Sequence, residues 1–357
     1  MKFLFVLLFT AASGSAAQAA TGSAFNPDIS VIGQFLGAAG NGSKEPRPFN
    51  LKEAEIGLQS VVDPYARADF FLSANPEGLE VEEGYLTWLT LPWGLQARAG
   101  KFRMEFGKFN RTHPGETPFA DRPLAAAAFL GDEGLSEAGG HVSWLVPNPL
   151  DLFLQLDAQV ANGPAADRSP AFAEGRKRDL LYLTHASLYA DLTRAQNVAA
   201  GLSYAHGPDG ATFDSVSQSS HALGTDLFGV DFTYRWREPS DKDRSLTWQT
   251  EYYWANREAV DPADAARKQD ACPWGVFTYA DWQFARRWHA GARYDYTKLV
   301  SNTQRRRGEL AFLTFTPTEF SLLSLQGKHV LNEFDQHEWT MFFKLTFNIG
   351  PHGAHPF

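Results

Sequence analysis

The densest run of ionisable side chains in the sequence is Glu80-Val81-Glu82-Glu83-Gly84-Tyr85. Two carboxylates held roughly 5 to 9 Å apart can serve as acid and base in glycoside hydrolysis. Neighbours in an extended segment project from opposite faces, so Glu82 and Glu83 pair only if a bulge intervenes. A place on the wall or rim of a larger structure is the better expectation. Among the ten histidines, His352 and His355 in the closing GPHGAHPF are spaced to hold a metal on a helix, but Pro351 and Gly353 oppose that helix. His113, His141, His185, His206 and His289 are scattered. No Ser-His-Asp arrangement, phosphate-cradling glycine loop or cysteine-based zinc spacing is evident, so no enzyme activity, metal or cofactor is expected.

A second concentration of charge carries both signs: Lys101, Arg103, Lys108, Arg111 and Arg122 against Glu105, Glu116, Asp121, Asp132, Glu133 and Glu137. Opposed charges around a narrow passage set a field that sorts solutes by size, dipole and charge. Arg67, Asp69, Arg98, Lys101, Arg103, Glu105, Lys108, Arg111, Glu116, Asp121 and Arg122 are therefore the expected lining of a pore and its constriction. Glu53 and Glu55 add to the same expected face. The competing readings are a solvated loop surface and ion pairs that only stabilise a lumen.

The chain that must position these groups has 357 residues, with 32 Lys+Arg against 41 Asp+Glu, a formal charge of −9 that gives nucleic acid no electrostatic hold. Aromatics at 14%, 30 glycines and a single cysteine exclude a disordered tail, a disulfide scaffold and a cysteine-rich metal domain. No apolar run reaches about 18 residues, so strands must make any membrane crossing. Residues 1–19 combine Lys2, an apolar core from Phe3 to Phe9 and a small-residue end at Ala17-Gln18-Ala19. They read as a cleaved secretory signal, with a buried N-terminal helix as the alternative, and leave 20–357 as one barrel domain. Cys272 then sits in an exported chain with no chemistry expected of it.

Beyond residue 25, apolar and polar residues alternate with period two, as a strand with one face to lipid and one to water requires. Phe228, Val230, Phe232, Tyr234 and Trp236 are expected outward, with Asp226, Asp231, Thr233 and Arg235 inward. Trp288, Ala290, Ala292, Tyr294 and Tyr296 oppose His289, Arg293, Asp295 and Thr297 in the same way. The pattern gives sixteen strands, at 28–37, 51–62, 65–74, 79–90, 95–103, 138–147, 150–161, 179–191, 197–206, 225–236, 246–256, 274–284, 287–298, 308–316, 319–329 and 337–349. Joins after even-numbered strands are tight and rich in Pro and Gly, as periplasmic turns would be, whereas those after odd-numbered strands are longer, as extracellular loops would be. An all-β transmembrane antiparallel barrel of about sixteen strands, wide enough for an aqueous channel, is expected in the outer membrane among its lipids.

The longest join, 104–137, is expected to fold into the lumen, with a short helix over Leu124 to Leu130, Pro123 at its first turn and Gly131 ending it. The final strand, 337–349, sets Trp339, Met341, Phe343, Leu345, Phe347 and Ile349 on one face. This resembles the closing strand by which outer-membrane barrels are recognised by their assembly machinery. The stretches FNPDISVIGQF, VDPYARADFFLS, VEEGYLT with GLQARAGKFRMEFGKFN, and FFKLTFNIGPHGAHPF together resemble bacterial outer-membrane porins, broadly the phosphate-selective group, whose Lys-rich ladder is absent here. Chains similar to these are sometimes labelled zinc-regulated TonB-dependent outer-membrane receptors. The porin resemblance implies passive diffusion of small hydrophilic solutes or ions, a third loop that constricts the pore, and often a homotrimer. The receptor label implies instead an uptake barrel for a specific ligand such as a metal.

Overall fold

The computed structural model describes residues 27–45, 47–75, 78–150, 152–164, 168–173, 179–214, 219–241, 243–261, 264–299 and 304–350. The expected signal at 1–19 and the tail residues His352, His355 and Phe357 lie outside the described residues. The strands are β1 (Asp28–Ala39), β2 (Phe49–Asp63), β3 (Ala66–Asn75), β4 (Gly78–Trp88), β5 (Leu95–Arg103), β6 (Ser136–Leu145), β7 (Phe153–Asn162), β8 (Leu180–Thr193) and β9 (Gln196–Asp214). They continue with β10 (Ser219–Arg237), β11 (Ser245–Asp261), β12 (Asp264–Ala271), β13 (Trp274–Ala285), β14 (Trp288–Lys298), β15 (Arg305–Thr318), β16 (Ser321–Leu331) and β17 (His337–Ile349). Consecutive strands pair antiparallel, except that β12 and β13 both pair with β11, and β1 closes on β17 from Val31↔Ile349 to Ala39↔Met341, so the sheet closes into a barrel.

The wall has sixteen positions, because β12 and β13 share one. Long β11 pairs with β13 from Ser245 to Trp254 and with β12 beyond Arg257, and the wall position is interrupted at Cys272-Pro273, where proline cannot donate to the ladder. Every expected strand is present. The differences lie at the long-loop end, where 207–214 and 219–224 extend β9 and β10 instead of forming an irregular loop. Cross-strand pairing overrides the turn propensity of Gly207-Pro208-Asp209-Gly210, with one register shift between Ala222 and Gly224.

The polarity is inside out. Large apolar side chains such as Phe70, Trp144, Val230, Trp254, Leu313 and Met341 are exposed outward, while Gln34, Glu55, Asp157, Glu251, Arg293 and Lys344 are buried inward. Strand β17 keeps the whole expected outward row, and β14 alternates as read from the sequence. Aromatic pairs line the outer face across neighbouring strands, as in Tyr204 to Phe228 at 5.0 Å and Phe228 to Trp254 at 5.1 Å. Asp226 departs from expectation: its parity puts it beside Phe228 on the outer face, where Tyr204 Oη donates to its carboxylate at 2.8 Å.

Candidate functional site: the inward-folded third loop

Between β5 and β6 the chain runs inward through residues 104–135 and packs on the inner wall. Its apolar side chains Met104, Phe106, Phe109, Phe119, Phe129 and Leu130 meet Leu181, Leu227, Tyr253, Phe277, Leu310 and Phe312 of the wall. The loop therefore supplies the hydrophobic core that an empty lumen would lack, and the expectation of inward folding holds. Helix α1 (Leu124–Leu130) occupies the expected residues, with Pro123 as its N-cap and Gly131 as its C-cap. Pro123 has no side chain able to accept the first free N–H groups. Asp295 of β14 accepts from Leu124 N–H at 3.0 Å, so the wall caps the helix.

The rest of the loop backbone is satisfied in the same way, by inward polar side chains. Glu251 accepts from the N–H groups of Lys108 and Phe109 at 3.1 and 2.7 Å while Tyr253 and Gln249 donate to it. Ser203 accepts from Gly107 N–H, and Gln159 from Glu105 N–H. Gln326 donates to Pro118 C=O and accepts from Ala120 N–H, both at 2.9 Å. Lys344, fully buried, donates to the carbonyls of Thr117 and Phe119 at 2.6 and 2.9 Å. Buried backbone groups must be paired, and these wall residues fix the loop's path across the lumen.

The expected lining residues separate into groups. Arg67 binds Asp69 at 2.7 Å, and Arg98 lies over the Tyr85 ring at 4.4 Å, 3.8 Å from Glu105. Arg111 reaches Glu105 from the loop at 3.1 Å. These five come together around the lumen beside β3, β4 and β5. Lys108 lies on the same loop, and Glu116 faces Arg286 and Arg287 across a cavity of about 1020 Å³ at the short-turn end. Arg103, buried, and Asp121 and Arg122, half-buried, are instead anchors of the loop. Arg103 holds Glu82 at 2.8 Å and the Glu133 carbonyl at 2.7 Å, and Arg122 donates to Asn110 at 3.0 Å. Asp121 is held by Arg293, at 3.1 Å, and by Lys328. Burial alone would raise the Asp121 carboxyl, but these two cations outweigh it and keep it below its ordinary range. Burial lowers Arg122 to about 10. Lys101 leaves the set: it pairs with Gly84, on the face opposite Arg98, and its ammonium donates to Val81 C=O at 2.6 Å.

The carboxylate run also differs from a regular strand. The β3–β4 register shifts between Phe71↔Glu83 and Leu72↔Val81, leaving Glu82 as the extra residue of a bulge. Glu82 and Glu83 thereby both meet Arg103 and the loop's His113. Sequence carried the cluster but not the bulge, and the role of His113 had no signal. Elsewhere Ser203 Oγ lies 2.8 Å from His185 Nδ1, but His185 Nε2 and Asp231 Oδ2 have no hydrogen-bond partner, so no Ser-His-Asp relay is formed there.

No family model matches the chain. An uncharacterised protein of Aquifex aeolicus (strain VF5) is 29% identical over 349 residues, covering 88% of this chain and 71% of that one. Among solved structures, the anion-selective porin from Comamonas acidovorans is similar with a TM-score of 0.57 at 11% identity, over 91% of this chain and 99% of that one. The outer membrane channel DcaP of Acinetobacter baumannii gives 0.57 at 10%, over 91% and 96%. A loop-deletion mutant of OmpT, an outer membrane protein of Vibrio cholerae, gives 0.57 at 9%, over 91% and 99%. At these identities the likeness is one of fold: the closed barrel of outer-membrane porins and channels.

Proposed function

We infer that this protein is a diffusion channel of a bacterial outer membrane, passing small hydrophilic solutes or ions, with anions favoured, through a lumen narrowed by the 104–135 loop. The reading rests on an inside-out barrel wide enough for water whose longest loop is held in the lumen by named wall residues. Residues 1–19 would export the chain, 337–349 would present it to the assembly machinery, and trimers would form as in the trimer form of Vibrio cholerae OmpT.

The anion preference follows from which charges remain accessible. Beside the loop, Asp69, Glu105 and Asp157 keep only 6%, 9% and 0% side-chain exposure, whereas Arg67, Arg98 and Arg111 keep 42%, 24% and 26%. Arg67 and Arg98 both face Thr87 of β4 in register, so they stand in one row two strands, about 10 Å, apart. A passing anion meets guanidinium groups whose counter-charges lie behind them. Planar-bilayer recording tests this. Discrete conductance steps and a reversal potential of anion sign are expected, and R98Q with R111Q should lower the anion-to-cation ratio several-fold. Silence from folded protein, or a cation sign, overturns the reading.

A further inference from the structure

We propose that His113, Glu55 and Glu82 form a binding site for one divalent transition-metal cation that ties the inward loop to β2 and β4. The three donor atoms lie within 4.8 Å of one another. His113 Nδ1 is 2.9 Å from Glu55 Oε2 and 3.4 Å from Glu82 Oε2. Ligand atoms about 2.0–2.2 Å from an ion stand about 3.3–3.6 Å apart at tetrahedral angles and about 2.8–3.1 Å apart at right angles, so these separations fit within one coordination shell.

Three further observations point to a ligand rather than to a plain acidic patch. The His113 side chain is nine-tenths buried and its Nδ1, despite its nearness to two carboxylates, is not aligned as a hydrogen bond to either. Its other nitrogen, Nε2, lies 2.8 Å from Glu83 Oε1. That is the arrangement by which a carboxylate fixes a metal-binding imidazole, holding the proton on one nitrogen and turning the other's lone pair toward the ion. Glu53 Oε1, also buried, has no hydrogen-bond partner.

Charge balance agrees. Glu55, Glu82 and Glu83 converge on His113, and Arg103 is the guanidinium paired with Glu82 and Glu83 among the described residues. With the imidazole neutral, the three carboxylates exceed the one guanidinium by two charges, which a divalent cation would offset in place of the imidazole proton. One imidazole nitrogen with carboxylate oxygens suits zinc, cobalt or nickel, while calcium and magnesium favour all-oxygen shells. The bulge at Glu82 is what makes the site, because a regular strand would send that side chain outward.

Untagged protein folded in detergent and stripped with a chelator would be titrated with Zn²⁺ by calorimetry and with Co²⁺ by visible absorption. The expected result is saturation at one equivalent per chain, weakened at least tenfold in H113Q and in E55Q and unchanged in a double variant, H352Q with H355Q. Heat-modifiable gel mobility identifies variants that fold, and E82Q decides the matter if H113Q does not. Wild-type protein that takes up neither ion overturns the proposal. So does binding that survives H113Q and E55Q, or that disappears with the tail histidines.

Discussion

Single lumen residues do two jobs in this barrel, and Lys344 and Lys108 illustrate the difference. Lys344 has no exposure and spends its ammonium on loop carbonyls, so it is a fastening rather than a filter. Replacing it in K344M leaves the buried Thr117 carbonyl without its donor and the Phe119 carbonyl with the Thr117 hydroxyl alone, at a cost of about 1.5–3 kcal/mol for a charge-assisted contact. The barrel should still form, while channel recordings become noisier and limited proteolysis begins to cut within 104–135. Lys108, by contrast, is lowered to about 8 by burial, with Arg235 and Arg111 adding to the effect against Asp231 and Glu251. Its ammonium is charged below that pH and neutral above it. The anion-to-cation permeability ratio should therefore fall between pH 7 and 9, and K108M should flatten that profile; a wild-type ratio constant across the range would remove Lys108 from the filter. The inward direction of both residues could be read from parity or loop position. Their separate roles could not, because burial of Lys344 depends on carbonyls about 225 residues earlier in the chain.

At the scale of elements, the loop helix was legible and its support was not. An apolar run between Pro123 and Gly131 is a local signal, and α1 fills that interval. The acceptor that caps it belongs to β14, where Asp295 is hydrogen-bonded by Arg293 at 2.7 Å as well as by the helix N-terminus. D295A should cost about 1 kcal/mol for the lost cap and more for leaving the buried Arg293 with Asp121 alone. Gly131 marks the other end. With φ at +86° and ψ at 166° it sits where glycine alone is comfortable, and a Cβ there would collide with the Arg168 carbonyl. G131A should cost about 1–3 kcal/mol and free the end of the helix, detectable as faster hydrogen exchange over 124–131 with the strands unchanged. The β12 extension and the bulge at Glu82 escaped the sequence for a shared reason. Both are consequences of how neighbouring strands pair, and neither leaves a periodic trace in its own segment.

The whole molecule is governed by one sorting rule, apolar side chains out and polar side chains in, and this made sixteen wall strands readable from period-two patterns alone. Closure follows from the same rule, since an open edge in lipid would leave backbone groups without partners. Strand β17 shows how strongly the rule can be tested. Phe343 lies mid-strand on the outer face, opposite Gly37 of β1 and Leu325 of β16, whereas Ile349 on the same face ends the strand opposite Val31. The penalty for a cation facing lipid depends on depth, about 2–4 kcal/mol at the midplane and near 0–1 at the interface. F343R should therefore lower the denaturant midpoint of the folded form markedly and reduce its yield, whereas I349R should shift it little. The contrast between the two depths is the informative quantity, because a soluble sandwich would bury one face against a second sheet and show no such gradient. Equal tolerance of F343R and I349R would mean that no lipid meets this face, and both the outer-membrane setting and the channel reading would fall with it.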